Sequence, residues 1–508
     1  MIIKERNALI NSLISYAREK LYLASTDEVY LTNLLLSKFH LQNYNVSEEK
    51  ENNLDDLITS IELVALKENL VKEEDLELFS TAIMGMLTPL PSVVQTKFFD
   101  LLHHVSSEEA CRFLYALQVN NHYIKLSRIK LNLFWKANFP NNYLEITINL
   151  SKPEKDNKAT AKLANDVSIK YPKCILCYEN LGYAGRVDSP PRQNIRLVDF
   201  KLAGEDWFMQ YSPYQYYEEH VVVIHKKHVN MKIDHSTFIK LCDFVDLFPH
   251  YFVGSNASLP IVGGSILNHE HFQGGKHMMP VFASATKYEF VKKGYEDCQI
   301  AYLNWYNSCL RIISPNRDKI ISFASEILHI WNNYQDEQIG LIAHTQQQHN
   351  AITPIVRKVD QYYHLYLILR NNRTNKEYPD GIFHAHQPFH NIKKESIGLI
   401  EAMGLFILPG RLKKQFAAVQ EILMGRVTYL DAIITNPDLI VHKNMIAELL
   451  SEYGASNSEQ RVELILEKYI NDTCKQILEC TAIFKNTSIG DSHLRTFLSA
   501  VGLEIIGG

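Results

Sequence analysis

Residues 263–277 read Gly-Gly-Ser-Ile-Leu-Asn-His-Glu-His-Phe-Gln-Gly-Gly-Lys-His, and no other stretch constrains the chain as tightly. Strand side chains alternate with period two, so an extended backbone here sets His269, His271 and Gln273 on one face. Imidazole can ligate zinc or attack phosphorus, and an amide beside it can donate hydrogen bonds to a phosphoryl oxygen. A His-x-His pair alone is commonly incidental. The flanking glycines weigh against that, because glycine lets backbone approach a ligand closely and lets amide groups point at phosphate oxygens. The same glycines also suit a tight turn.

Cys174 and Cys177 stand at a spacing that serves zinc ligation or redox exchange. A thioredoxin-like reading needs a βαβ context that residues 165–185 do not display. Zinc fits better, because His228, just beyond the apolar run 221–224, and His269 complete a Cys2His2 set whose donors suit a closed tetrahedron. His220 and His225 flank the same run and rival His228 for its place.

The remaining sequence bounds the partners. The chain has 508 residues, 46% hydrophobic and 21% charged, with material for more than one core. No stretch reaches the roughly 18 apolar residues of a membrane span. The charged start Met-Ile-Ile-Lys-Glu-Arg-Asn lacks an export signal's apolar core. A cytoplasmic protein with no membrane association is expected, and eight dispersed cysteines fit that reducing compartment. With 52 Lys and Arg against 57 Asp and Glu the formal charge is −5, so no nucleic-acid partner is expected. Attraction of an anionic ligand then falls to local groups, with Arg186, Arg192, Arg196, Arg370, Arg373, Lys393 and Lys394 as candidates.

Residues 1–120 carry apolar positions three and four apart, as at Ile10, Leu13, Ile14, Ala17 and Leu21, which predicts amphipathic helices punctuated at Ser25-Thr-Asp27 and Thr88-Pro-Leu-Pro91. Residues 143–149 alternate as a strand should, and 221–224 read as a buried strand. Residues 152–173 and 291–335 read as helix, 362–369 as strand, and the chain after Pro409 mostly as helix. The expected class is α+β, with two α+β regions at 121–290 and 291–420 between helical segments at 1–120 and 421–508.

Several blocks carry a more specific signal: Tyr171-Pro-Lys-Cys-Ile-Leu-Cys-Tyr-Glu-Asn-Leu-Gly-Tyr-Ala-Gly-Arg186, Trp207-Phe-Met-Gln-Tyr-Ser-Pro-Tyr-Gln-Tyr-Tyr-Glu-Glu-His220, the His-Glu-His-Phe-Gln run, His349-Asn-Ala-Ile-Thr-Pro-Ile355, Leu369-Arg-Asn-Asn-Arg-Thr374 and Ile392-Lys-Lys-Glu-Ser-Ile-Gly-Leu-Ile-Glu-Ala-Met-Gly404. In this order they resemble the long-chain, Gram-positive class of galactose-1-phosphate uridylyltransferases, within the wider histidine-triad group. The resemblance implies two histidine-triad-like halves, the first of them, 121–290, bearing the catalytic and zinc residues. It implies that His271 attacks the α-phosphorus of UDP-glucose and releases glucose 1-phosphate. Galactose 1-phosphate then takes the uridylyl group and leaves as UDP-galactose, a ping-pong exchange in galactose metabolism, the Leloir pathway.

Further roles follow from the same resemblance. His271 is to be neutral at its attacking nitrogen, with the other nitrogen held by a backbone carbonyl. Gln273 is to donate to a non-bridging oxygen, and Gly263, Gly264 and Ser265 are to lie along the phosphates. Phe252 and Asn256 are assigned to uracil and ribose, the alternative being strand-end packing and a turn. Arg186, Arg192, Lys393 and Lys394 are the phosphate contacts. Cys174, Cys177, His228 and His269 hold a structural zinc. His349, His384 and His386 match the histidines of a second divalent-metal site in short-chain relatives, though its carboxylate is not identified; hydrogen bonding around the sugar is the other reading. A homodimer is the common assembly of relatives. Two other functions stay open: a nucleotide phosphorylase or hydrolase of the histidine-triad group, and a zinc-stabilised nucleotide-sugar binding protein.

Overall fold

The computed structural model describes residues 2–46, 53–151, 171–186, 189–264 and 266–506. Most of the helix expected at 152–173 therefore lies outside the described residues. The chain forms two compact units that alternate along it: the first is Met1–Lys130, Lys155–Val229 and His269–Gly275, the second Leu131–Glu154, Asn230–Asn268 and Lys276–Gly508. Neither coincides with a single one of the four stretches read from composition.

In chain order the strands are β1 (Leu133–Asn138), β2 (Tyr143–Asn149), β3 (Val198–Leu202), β4 (Glu205–Tyr211), β5 (Val221–His225), β6 (Phe252–Gly254), β7 (His271–Gly275), β8 (Thr286–Val291), β9 (Gln299–Leu303), β10 (Cys309–Ser314), β11 (Asn350–Val359), β12 (Tyr362–Asn371), β13 (Leu405–Pro409) and β14 (Glu504–Ile505). Together with helices at both ends of the chain they make the mixed α+β architecture that the sequence predicts.

The first unit opens with helices Ile2–Lys20, Glu28–Lys38, Leu54–Lys67, Leu76–Leu87, Pro91–His104 and Ser107–Asn120. Their apolar stripes turn inward: Ile10, Leu13, Ile14, Ala17 and Leu21 are all buried. The punctuation falls where it is expected, with one helix closing at Leu87 and the next opening on Pro91, whose missing N–H costs nothing at a first helical position. Arg196 staples that corner, donating to the carbonyls of Thr88 at 2.8 Å and Gly85 at 3.2 Å. The strands of this unit pair antiparallel in the order β7–β5–β4–β3. In its core Phe272 stacks on Trp207, with ring centroids 4.8 Å apart.

The second unit carries a three-stranded sheet, β1–β2–β13, in which β13 runs parallel to β2, and an antiparallel sheet in the order β14–β8–β9–β10–β12–β11–β6. Helices His235–Leu247 and Arg317–Asn333 pack on β11 and bury Phe238, Phe244, Ile320, Ile327 and Trp331. Residues 291–335 are not one helix, as the sequence reading had them. They supply β9 and β10 before the helix at Arg317–Asn333 begins. Both strands are buried on both faces, so their apolar residues run on without the alternation that marks a half-exposed strand.

The helix at His235–Leu247 starts on a reciprocal cap. Asp234 accepts from the Thr237 N–H at 3.2 Å, and the Asp234 N–H donates to Thr237 Oγ1 at 3.1 Å. Asp234→Ala should lower stability by about 1 kcal/mol, whereas Asp234→Asn, which keeps the accepting oxygen, should cost much less. Urea-unfolding midpoints of the two variants test this.

Candidate functional site

Strand β7 pairs antiparallel with β5, with Ile224 opposite His271 and Val222 opposite Gln273. Directly opposed residues share a face, so His271, Gln273, Val222 and Ile224 lie together, while Phe272 turns to the opposite face and Trp207. The expected alternation of His271 and Gln273 is present. His269 precedes the strand, and its ring belongs to a different group of atoms.

That group is a cluster of four side chains that could hold a metal ion. One donor atom each from Cys174, Cys177, His228 and His269 lies within 4.8 Å of every other. Sγ of Cys174 is 3.6 Å from Sγ of Cys177 and 3.3 Å from Nδ1 of His269, and Cys177 Sγ is 3.1 Å from His228 Nδ1. A tetrahedron with metal–sulfur bonds of about 2.3 Å and metal–nitrogen bonds of about 2.0 Å has edges of roughly 3.3–3.8 Å, so the four could hold a metal ion with small adjustment. The tautomers agree. Nε2 of His269 lies 2.8 Å from the His225 carbonyl, which can only accept, so the proton sits on Nε2 and Nδ1 offers a lone pair to the sulfurs. Burial pushes the Cys177 thiol up to about 12, so a cation is what would hold this sulfur as thiolate near neutral pH.

The structure decides among the three candidate histidines. His228 joins the cluster. His225 accepts from the Lys227 N–H at its Nδ1, 3.0 Å away, and contributes its carbonyl rather than its ring. His220 turns instead to Gln273, its Nε2 3.1 Å from Gln273 Oε1.

His271 is buried, and its Nδ1 stands 2.8 Å from the carbonyl of His269. A carbonyl accepts only, so the proton is on Nδ1 and Nε2 carries a lone pair, the arrangement a nucleophilic imidazole needs. Burial holds the ring below the ordinary histidine range, outweighing the opposite effect of that hydrogen bond, so it is neutral. Sequence reasoning anticipated the carbonyl partner but not that it belongs to a residue of the metal cluster. It also missed the link between His220 and Gln273, for which alternation across β5 was the available signal.

Other expected residues sit as follows. In the first unit, Arg192 is buried and donates to the Tyr123 hydroxyl at 2.8 Å, and Arg186 donates to the Tyr171 carbonyl at 2.6 Å. In the second unit, Phe252 packs edge-on against Phe282, and Asn256 Oδ1 accepts from the Leu399 N–H at 2.8 Å. A Cβ at Gly263 would lie 2.2 Å from the Ala257 carbonyl oxygen, so close backbone approach explains that glycine, while one at Gly264 would meet the Asn256 side-chain amide, 2.8 Å from its Nδ2. Ser265 lies outside the described residues.

Lys393 is buried on Glu401 at 2.9 Å and the Ile407 carbonyl at 2.8 Å, while Lys394 is exposed. Arg370 is buried and donates through Nη2 to the Ile397 carbonyl at 2.7 Å, leaving its Nε and Nη1 without a partner among the described residues. His349 bonds Asn372 at 2.8 Å and Thr345 at 2.7 Å, His384 accepts from the Ile397 N–H at 3.2 Å, and His386 faces the Ile382 carbonyl at 3.1 Å. Among the described residues these three do not gather into a metal-ligand group.

Comparison with known proteins gives a consistent set of likenesses. Residues 21–238 match the model of the galactose-1-phosphate uridyl transferase N-terminal domain, and residues 244–432 that of the C-terminal domain. The galactose-1-phosphate uridylyltransferase of Caldanaerobacter subterraneus subsp. tengcongensis is 39% identical, over 97% of this chain and 98% of its own. That of Clostridium acetobutylicum is 40% identical, over 97% and 99%. Among solved structures, yeast Ap4A phosphorylase has a TM-score of 0.33 at 11% identity, over 68% of this chain and 93% of its own, a likeness too loose to carry an argument.

The cluster generates a direct test. Protein purified without chelator should contain about one divalent ion per chain by elemental analysis. Cys177→Ala and His228→Ala should lose most of it and unfold at a lower temperature, whereas His225→Ala, which keeps the His225 carbonyl, should retain it. Full metal content in Cys177→Ala would refute the assignment.

Proposed function

Because the chain belongs to the galactose-1-phosphate uridylyltransferase family, we propose that it exchanges UMP between UDP-glucose and galactose 1-phosphate through a uridylyl group carried on His271. The observation that supports His271 as carrier is its fixed tautomer, with Nδ1 bound 2.8 Å from the His269 carbonyl and Nε2 left with a lone pair. In the first half-reaction Nε2 attacks the α-phosphorus and the bond to the glucose 1-phosphate oxygen breaks. In the second, a phosphate oxygen of galactose 1-phosphate attacks the same phosphorus and the nitrogen–phosphorus bond breaks. Splitting one displacement between two polyanions into two steps at one position is the benefit of covalent catalysis.

Gln273, one alternation along the same face, donates its amide N–H to a non-bridging oxygen as negative charge gathers there. For the second unit this reading assigns uracil and ribose to Phe252 and Asn256 and the phosphates to Gly263 and Gly264, as in the family pattern. Of the cations there, Arg370 is the better phosphate contact than Lys393, because among the described residues it keeps two N–H-bearing nitrogens without a partner while Lys393 is spent on Glu401.

The ion in the cluster is zinc on this reading, since two thiolates and two imidazoles form a closed donor set for that metal. Its chemistry there is structural: four protein ligands leave no open position for substrate. What the chain's own residues supply is the fixed orientation of His269 and, through its carbonyl, of His271.

UDP-glucose labelled at the α-phosphorus, incubated without acceptor and quenched in base, should leave label on the wild type and none on His271→Ala. Galactose 1-phosphate should release it as UDP-galactose. Gln273→Ala should form the same intermediate about 10²–10³-fold more slowly. Absence of label on zinc-loaded wild type would sink the covalent mechanism.

A further inference from the structure

We propose that His220 is a positioning residue that fixes the orientation of the Gln273 amide, so that its NH2 group rather than its oxygen is offered to the reacting phosphoryl group. The inference rests on the reading of Gln273 given above and extends it to a residue one strand away.

A side-chain amide has two faces of nearly equal shape, one accepting and one donating, and an unrestrained glutamine can present either. At Gln273 the choice is constrained. His220 immediately precedes β5 on the same face as Val222, the residue opposite Gln273, and its Nε2 lies 3.1 Å from Gln273 Oε1. Its Nδ1 is fully buried and meets no hydrogen-bond partner among the described residues. With the amide reversed, NH2 would face Nε2. The imidazole proton would then move to Nδ1, leaving a buried N–H with no acceptor, a costly state. The observed orientation avoids that: Nε2–H donates to Oε1, and the amide N–H groups point elsewhere. Burial pushes His220 down to about 4, so the ring stays a neutral, single donor over the working range.

The ring itself is immobilised. It packs against Tyr216, with centroids 5.5 Å apart, and Tyr217, 4.5 Å apart, and its backbone carbonyl accepts from the Ser212 N–H at 2.8 Å. Tyr217 in turn donates to the Gly274 carbonyl at 3.1 Å, tying the wall that carries His220 to β7 itself. Gly275 permits this approach. A Cβ there would stand 2.7 Å from the Glu219 carbonyl oxygen, at a φ of +154° that side chains rarely adopt.

The test measures single-turnover formation of the labelled intermediate, substrate KM, and discrimination between the two diastereomers of UDP-glucose carrying sulfur on the α-phosphorus. His220→Phe should slow the single-turnover rate about 10- to 100-fold with KM and metal content little changed, the scale of a misplaced catalytic contact. It should also erode the diastereomer preference as Gln273→Ala does, and the double variant should be no slower than Gln273→Ala alone. His220→Gln, whose amide can still donate to Oε1, should recover much of the rate. His220→Asn, shorter but still polar, serves in place of His220→Phe if that variant is insoluble. If the His220 variants keep rate and preference while Gln273→Ala loses both, the inference is overturned and the role of Gln273 stands. If Gln273→Ala itself keeps both, the role of Gln273 falls, and this inference with it.

Discussion

The candidate site depends on one residue used twice. The ring of His269 is fixed at both nitrogens, Nε2 donating to the His225 carbonyl and Nδ1 facing Cys174, while its main-chain carbonyl holds Nδ1 of His271. A metal held by Cys174, Cys177, His228 and His269 would therefore act on the orientation of His271 through that carbonyl. Loss of such an ion would free the His269 ring, and the carbonyl that selects the His271 tautomer would move with the same residue. Such a coupling would convert metal-binding free energy into orientation.

Around that residue, β7 separates two jobs by its alternation. One face carries His271 and Gln273 opposite Ile224 and Val222; the other buries Phe272 against Trp207. The aromatic stack anchors the strand in the core of its unit, so small displacements of the polar face require a packed side chain to move as well. Gly275 leaves room for the turn carrying Tyr217, Glu219 and His220 to close on β7, an approach any larger residue there obstructs. Precision at the polar face is thus a property of the apolar face and of the missing side chains beside it.

What the sequence disclosed and what it withheld follow from range. Period-two alternation of His271 and Gln273, the spacing of the two cysteines and the close approach at Gly263 are local, and each survived into the structure, whereas His269, expected on the same face, precedes the strand. The selection of His228 over His220 and His225 was not local: three histidines flank one strand, and only tertiary placement tells which ring meets Cys177 and which meets Gln273. Charge misleads in the same way. Arg196 and Lys393 look like phosphate contacts beside the motifs, yet both are buried and bonded internally, Arg196 to main-chain carbonyls and Lys393 to Glu401 and Ile407. Strands β9 and β10 went unread for a different reason, because burial on both faces removes the polar half of the pattern.

These internal commitments bear on how a chain of net charge −5 handles polyanionic substrates. Long-range attraction is weak, so the discriminating interactions must be short-range and oriented in advance. His271 and His220 are both held neutral by burial; the His269 carbonyl, which can only accept, fixes the tautomer of the first, and the second faces the Gln273 amide oxygen. A neutral imidazole offers phosphorus a lone pair without first losing a proton, and a neutral donor orients an amide without adding a charge that would hold the departing sugar phosphate. Stabilisation by a preset dipole acts where charge develops and needs no reorganisation as the bond changes, whereas a surface ammonium would favour bound substrate and transition state alike. For an exchange that must run through the same position twice, once with each sugar phosphate leaving or entering, that distinction favours the arrangement built around His269.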